Sequence, residues 1–422
     1  MKASGILTMD DFDFRGKTVL CRLDLNSPLD PKTQKILDDS RIREHAKTVK
    51  ELSDKKAKVV LLAHQGDPTI PDQFVQLGQH AKILSELTRR EVQYIDDTYG
   101  PAAREAIRKL GEGQILLLEN TRYFSEDTRL FEDTMKRSPE EQAKCLLVQK
   151  LYPLANVFVN DAFAAAHKSQ PSLVGFSEVL PSCAGRVMEA ELDALIRIRD
   201  SPKKPCIFCL GGRKISDKYE MMEPVLRNNV ADKLLTSGVI GLLMLKASGV
   251  ELGGATESLF REMHYDKFLP ISRKLLDAYG RDRIEFPTDV AIDHDGRKEM
   301  DVSSLPEDAP IMDVGKKTAD RYSAVIRGSG TVFFSGPPGV FENEPFSAGT
   351  RQILMAIVES GSFSVVGGGH SMAALRKYDI LDKVSYVSTG GGALVRYLSG
   401  EELPAVAALK KAAKRFPSST TT

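Results

Sequence analysis

At 422 residues the chain is longer than one core usually fills, so two domains are expected, and its 42% hydrophobic content is that of an ordinary soluble protein. Basic and acidic side chains balance at 58 each, which speaks against a nucleic-acid binder but leaves room for a local basic patch around a small anion. No apolar run approaches the roughly 18–20 residues of a membrane span, and five irregularly spaced cysteines (Cys21, Cys145, Cys183, Cys206, Cys209) build no disulfide framework.

At the amino end, Met1-Lys2-Ala3-Ser4 lacks the apolar stretch of a secretion signal, so a cytoplasmic location is expected. Apolar runs then occur at 18–23, 58–63, 114–118 and 156–159, with helical segments at 41–52, 77–87 and 101–110 among them. This alternation predicts a parallel, doubly wound sheet, and apolar residues in succession predict strands covered on both faces. Ligands of such sheets sit beyond the carboxyl ends of the strands. There the sequence places Arg22, Asp24 and Asn26, with Arg41 opening the next helix; His64-Gln65-Gly66-Asp67-Pro68; Glu119-Asn120-Thr121-Arg122; and Asn160-Asp161-Ala162-Phe163 followed by His167 and Lys168. Any one of these cations reads as a surface charge. Arg22, Arg41, Arg122 and Lys168 together, each near a strand end, read as an anion site, since arginine grips phosphate and carboxylate through paired hydrogen bonds. His64 and His167 stay open between ligand contact and satisfied core polar group.

Residues 185–200 read as one helix, with Met188, Leu192 and Leu195 on a face that Val187 and Ile196 extend. Ser201-Pro202-Lys203-Lys204-Pro205 ends it, and it is a candidate hinge. Four apolar runs of the second half break into glycine turns with a helical segment after each. Cys206–Leu210 leads to Gly211-Gly212-Arg213-Lys214, and 331–334 to Ser335-Gly336-Pro337-Pro338-Gly339. Residues 364–366 lead to Gly367-Gly368-Gly369-His370-Ser371, and 385–387 to Ser388-Thr389-Gly390-Gly391-Gly392. Such turns are expected to present unpaired N–H groups at a helix start, where phosphate binds. Cys206 and Cys209 form a C-x-x-C but lie in a buried strand with no further ligands, so they read as core cysteines. The tail from Glu402 reads as a helix with Val406, Leu409 and Ala413 on one side and Lys410, Lys411, Lys414 and Arg415 as a solvated face; low complexity is confined to 418–422.

The expected architecture is α/β: two doubly wound parallel-sheet (Rossmann-like) lobes joined by a hinge helix. The lobes span 1–184 and 201–402, the hinge 185–200, and the tail 403–422 packs back on the first lobe.

Blocks of the sequence, in family order, resemble phosphoglycerate kinase over nearly the whole chain. They are Arg22-Leu23-Asp24-Leu25-Asn26-Ser27-Pro28-Leu29-Asp30, Leu117-Leu118-Glu119-Asn120-Thr121-Arg122 and Val159-Asn160-Asp161-Ala162-Phe163 in the first half. In the second half they are Leu210-Gly211-Gly212-Arg213-Lys214-Ile215-Ser216-Asp217-Lys218, Gly336-Pro337-Pro338-Gly339-Val340-Phe341-Glu342 and Val387-Ser388-Thr389-Gly390-Gly391-Gly392-Ala393. Ala63-His64-Gln65-Gly66 and Ala164-Ala165-Ala166-His167 look closest to archaeal members.

The resemblance implies an enzyme that moves a phosphoryl group between 1,3-bisphosphoglycerate and ADP, giving 3-phosphoglycerate and ATP, with Mg²⁺ accompanying the nucleotide. It implies glycerate contacts from Arg22, Asp24, Leu25, Asn26, Arg41, His64, Gln65, Gly66, Asp67, Arg122, His167 and Lys168. Nucleotide contacts would come from Gly211, Gly212, Lys214, Lys218, Gly336, Glu342, Gly368, Gly369, His370 and Ser371, with Thr389, Gly390, Gly391 and Gly392 as a phosphate turn. Arg41, Lys214 and Lys218 are the catalytic candidates and Asp217 the candidate metal ligand. Four positions depart from the common family pattern: Asp67 for arginine, His370 for aspartate, Ser335 for asparagine and Lys168 for arginine. A monomer is expected, with a dimer left open, and no nucleic-acid or membrane partner.

Two other functions compete with this reading. A dehydrogenase loses because neither G-x-G-x-x-G with its distant acidic residue nor G-x-x-x-x-G-K-[ST] occurs. A catalytically silent protein that keeps the fold draws support only from Asp67, His370 and Ser335.

Overall fold

Two units divide the chain: Met1–Asp193 with Glu402–Thr422, and Ala194–Glu401. The computed structural model describes residues 5–67, 70 and 73–416; the expectations placed on residues 1–4, on Pro68 and on the end of the tail, 417–422, lie outside them.

In unit 1, six parallel strands form one sheet: β1 (Thr18–Arg22), β2 (Lys58–Leu62), β3 (Val92–Tyr94), β4 (Ile115–Leu117), β5 (Val157–Asn160) and β6 (Ser182–Ala184), in the order β3-β4-β2-β1-β5-β6. The unbroken apolar runs have a direct cause. Val19, Cys21, Val59, Leu61, Val157 and Val159 pack into a core with Ile42, Val49 and Leu52. The residues between them, Leu20, Val60, Leu62 and Phe158, pack into a second core with Ile107 and Phe176. Side chains alternate across the pleat, so a strand with a core on each face must be apolar throughout. β3 and β6, three residues each, go beyond the expected strands.

The tail helix Pro404–Arg415 lies on unit 1, with Ala405, Val406, Leu409 and Ala413 buried. The expected solvated basic face holds only in part. Lys411 Nζ pairs with the buried Glu178 at 3.0 Å, and Arg415 donates to the Glu178 carbonyl at 2.8 Å.

Unit 2 holds β7 (Cys206–Leu210), β8 (Lys233–Thr236), β9 (Ile284–Glu285), β10 (Asp289–Asp293), β11 (Arg297–Asp301), β12 (Ile311–Val314), β13 (Thr331–Ser335), β14 (Phe363–Gly367) and β15 (Tyr386–Ser388). Six of these form a parallel sheet in the order β15-β14-β13-β7-β8-β9. Ile207, Cys209, Val332, Phe334 and Val366 meet in its core, and all five cysteines are free thiols. The other three form a separate antiparallel sheet, β11-β10-β12, which the sequence pattern did not disclose. Most of β11 is exposed, so the run carries no apolar signal.

The helix Arg186–Arg199 begins in unit 1 and ends in unit 2. Among the described residues, no helix is long and apolar enough to cross a membrane.

Candidate active site

β4, β2, β1 and β5 are contiguous in the unit 1 sheet, so the loops after them converge where the strand order reverses, the usual ligand position in an open parallel sheet. Asp24 follows β1 and is buried. Its Oδ2 accepts from Arg41 Nη1 at 2.7 Å, and Arg41, in the first turn of the helix Ser40–Asp54, keeps 35% of its side chain exposed. Burial alone would raise the Asp24 carboxyl, but the surrounding Arg41, His64, His45 and Arg22, with Arg41 first among them, together outweigh it and hold the group well below the usual carboxylate range.

His64 follows β2 and is also buried. Its Nδ1 meets the Arg22 Nη2 donor at 3.0 Å, so Nδ1 accepts and Nε2 carries the proton, 3.9 Å from Asp24 Oδ1. Burial, reinforced by the field of Arg122, pushes the His64 pKa well below its ordinary value, which makes it a neutral donor at pH 7. Burial and Arg122 likewise lower Lys168, so these groups share one positive field. Asn26 Oδ1 accepts from the Gly66 N–H at 2.9 Å, and the Gly66 carbonyl accepts from Arg122 Nη1. Gly66 has φ +89, and a Cβ there would overlap the Gln73 carbonyl. Asp67, half-buried beside this turn, is one of the carboxylates that favour the charged Arg122 against the effect of burial. His167 and Lys168 follow β5 and are half-buried.

Three of the residues expected to contact glycerate are engaged within the protein. Arg22 is fully buried, with Nε donating to Ser172 Oγ at 2.8 Å and Nη1 to the Leu23 carbonyl; it stands behind His64 and orients it. Gln65 is clamped to the Ser27 backbone, accepting from its N–H at 2.9 Å and donating to its carbonyl at 3.0 Å. The side chain of Leu25 is core.

In unit 2 the loops after β7, β13, β14 and β15 lie side by side, because those strands are adjacent. The expectation of unpaired N–H groups fails at several of the glycines. Gly211 N–H donates to the Ser335 carbonyl (2.9 Å), Gly212 N–H to the Pro337 carbonyl (3.0 Å), and Gly336 N–H to Ser371 Oγ (2.8 Å). These glycines let two turns touch: a Cβ on Gly211 would lie 2.8 Å from the Gly336 carbonyl. Ser371, buried, ties the β13 and β14 turns together instead of facing outward. Gly390 N–H is likewise engaged, by Ser388 Oγ at 3.1 Å. Gly368, Gly369 and His370, by contrast, are exposed at the start of the helix Gly369–Lys377, and Gly391 opens the helix Gly391–Leu398.

Lys214 is exposed just before the helix Ser216–Arg227. Lys218 is nearly buried one turn on; its Nζ donates to the Lys214 carbonyl at 2.6 Å, and burial lowers its pKa to about 8. His370 Nδ1 lies 3.7 Å from Glu342 Oε1, both on the surface. Asp217 is exposed in the first turn of its helix, and among the described residues no three His, Cys, Asp or Glu cluster into a metal cage. A lone carboxylate of this kind fits a magnesium ion carried mainly by nucleotide phosphates and water.

Sequence patterns gave no role to His45. It lies four residues, one helical turn, beyond Arg41 and contacts both Asp24 and Asp161.

One parallel sheet edged with half-buried and buried cations, and another edged with glycine turns at helix starts, define the class: an α/β enzyme that handles phosphorylated ligands. The phosphoglycerate kinase family model matches residues 9–401. Phosphoglycerate kinase of Methanothermus fervidus is 46% identical over 409 residues, covering 97% of this chain and 98% of that protein. The Methanothermobacter thermautotrophicus enzyme is 47% identical over 405 residues, covering 96% of each. The crystal structure of phosphoglycerate kinase from Pyrococcus horikoshii superposes with a TM-score of 0.88 at 38% identity, over 97% of this chain and all of that one. The chain belongs to the phosphoglycerate kinase family, whose members are phosphotransferases with a carboxyl group as acceptor.

Proposed function

We propose that the protein transfers a phosphoryl group from 1,3-bisphosphoglycerate to ADP, and in reverse from ATP to 3-phosphoglycerate. The observation that carries this reading is the Asp24–Arg41 pair: a buried carboxylate aims a partly exposed guanidinium over a cradle that also holds neutral His64, Arg122 and Lys168. Asn26, His167 and the Gly66 backbone complete the glycerate side. ADP or ATP is assigned to unit 2, where Lys214, Lys218, Glu342, the exposed turn at Gly368, Gly369 and His370, and the turn at Thr389, Gly390, Gly391 and Gly392 supply charge and backbone donors.

The acceptor carboxylate is already ionised at neutral pH, so no general base is required, and the protein's task is positioning and charge neutralisation. Arg41 from one unit and Lys214 from the other would flank the transferring oxygens, with backbone N–H groups adding to them. Mg²⁺, when bound with the nucleotide, supplies further charge neutralisation, and Asp217 is the residue that would hold it. Because the two ligand sets belong to different units, transfer calls for closure, with the helix Arg186–Arg199 and residues 389–392 as its joints. A cytoplasmic monomer without nucleic-acid or membrane partners suits a small-molecule enzyme of this kind.

The test is a coupled assay for ATP formed from 1,3-bisphosphoglycerate and ADP with Mg²⁺. Turnover above about 1 s⁻¹, the lower end of ordinary enzymes, is expected. No ATP formation, with both ligands still bound, would instead favour a silent binding protein with the same fold, the alternative to which Asp67, His370 and Ser335 lend weight.

A further inference from the structure

His45 is buried, at 4% exposure, on the inner side of the helix Ser40–Asp54. Its two ring nitrogens face different partners. Nε2 accepts from the backbone N–H of Asp24 at 3.3 Å, and Nδ1 lies 2.8 Å from Asp161 Oδ2. An amide can only donate and a carboxylate accepts, so Nδ1 carries the proton and the ring bridges the two aspartates in one orientation. The other oxygen of Asp161, Oδ1, accepts from the N–H groups of Val187 (2.8 Å) and Met188 (3.2 Å). These are first-turn donors of the helix Arg186–Arg199, groups that a helix cannot satisfy by itself. Gly185 makes the approach possible, since a Cβ there would overlap Asp161.

A continuous chain of contacts therefore runs from partly exposed Arg41 through Asp24, His45 and Asp161 to the start of the helix that leaves unit 1. We propose that His45 is a positioning residue. It holds Asp24, and through it Arg41, in register with the first turn of that helix, so that filling the glycerate cradle is felt at Val187 and Met188. The proposal rests on the glycerate assignment above.

The experiment compares wild type, His45→Ala and His45→Asn by calorimetric titration with 3-phosphoglycerate and by amide hydrogen exchange at Val187 and Met188. His45→Asn keeps a donor for Asp161 but is too short to place an acceptor where Nε2 meets the Asp24 N–H. In wild type, 3-phosphoglycerate should slow exchange at both amides. In His45→Ala, affinity for 3-phosphoglycerate should fall about tenfold, the worth of a lost buried hydrogen bond, and the ligand should no longer slow exchange at 187 and 188. His45→Asn should recover thermal stability without recovering that slowing, a split that a merely structural role would not produce. Slowing that persists in both variants overturns the proposal, as does wild type that binds 3-phosphoglycerate with no change at either amide. Wild type that binds no 3-phosphoglycerate overturns the glycerate assignment, and the role of His45 with it.

Discussion

Arg41 reaches solvent while its partner Asp24 does not, and this asymmetry sets the task of each. Asp24 is ionised at any pH where the enzyme works, because Arg41 and the other neighbouring basic groups together outweigh the cost of its burial. Arg41 is thus held in place before a ligand arrives, so in the proposed role its charge would act in the transition state with little reorganisation. Arg41→Ala should cut kcat by about 10²–10³ while leaving the KM for nucleotide unchanged; steady-state kinetics with an unaltered kcat would remove Arg41 from the mechanism. Lys218 gives a pH prediction. Burial brings its pKa to about 8, so the cation is present below that pH and lost as pH rises through it. The kcat/KM for nucleotide should therefore fall on the alkaline side with an apparent pKa near 8. Lys218→Arg, which stays charged, should carry the limb to higher pH; an alkaline limb unmoved by Lys218→Arg would assign it to another group.

At the scale of elements, the turns after β7 and β13 act as one piece, joined by Gly211, Gly212 and Gly336. Gly336 has φ +90, a left-handed conformation costly for other residues, and a Cβ there would overlap the Gly211 carbonyl. Gly336→Ala should destabilise unit 2 by about 1–3 kcal/mol and weaken nucleotide binding, with 3-phosphoglycerate affinity untouched. Chemical denaturation and calorimetry would check it, and equal losses of both ligands would argue against a local effect. The same turns show how far the sequence could be read. β1, β2, β5, β7 and β13 announce themselves because consecutive residues are buried, whichever face of the sheet they lie on. β11 does not, because its charged residues lie mostly in solvent, and β3, β6 and β9 are too short for any period to show. The grouping of Arg41, Arg122 and Lys168 near Asp24 and His64 was legible because these residues follow strands that the apolar runs mark. The engaged N–H groups of Gly211, Gly212 and Gly336 were not, since a glycine that receives phosphate and a glycine that admits a neighbouring turn look alike in a sequence. His45 went unread because its partners, Asp24 and Asp161, come from β-strand ends far apart in the chain.

At the scale of the whole molecule, the balance of 58 basic and 58 acidic residues hides a local excess that matters: the cations near the strand ends of unit 1 and the lysines before and within the helix Ser216–Arg227 of unit 2. Phosphoryl transfer to a carboxylate competes with transfer to water, so a site assembled from two units gains by assembling only when both substrates are present. On the proposed assignment glycerate alone would fill the cradle of unit 1 and nucleotide alone the turns of unit 2, and neither by itself would bring Arg41 and Lys214 to the same oxygens. Solution scattering should accordingly give a smaller radius of gyration with 3-phosphoglycerate and an unreactive ATP analogue together than with either ligand alone. If the radius is the same in all four states, closure is not the step that unites the two residue sets. If one ligand suffices for the full decrease, the requirement for joint occupancy fails, and protection against wasteful ATP hydrolysis must come from another source.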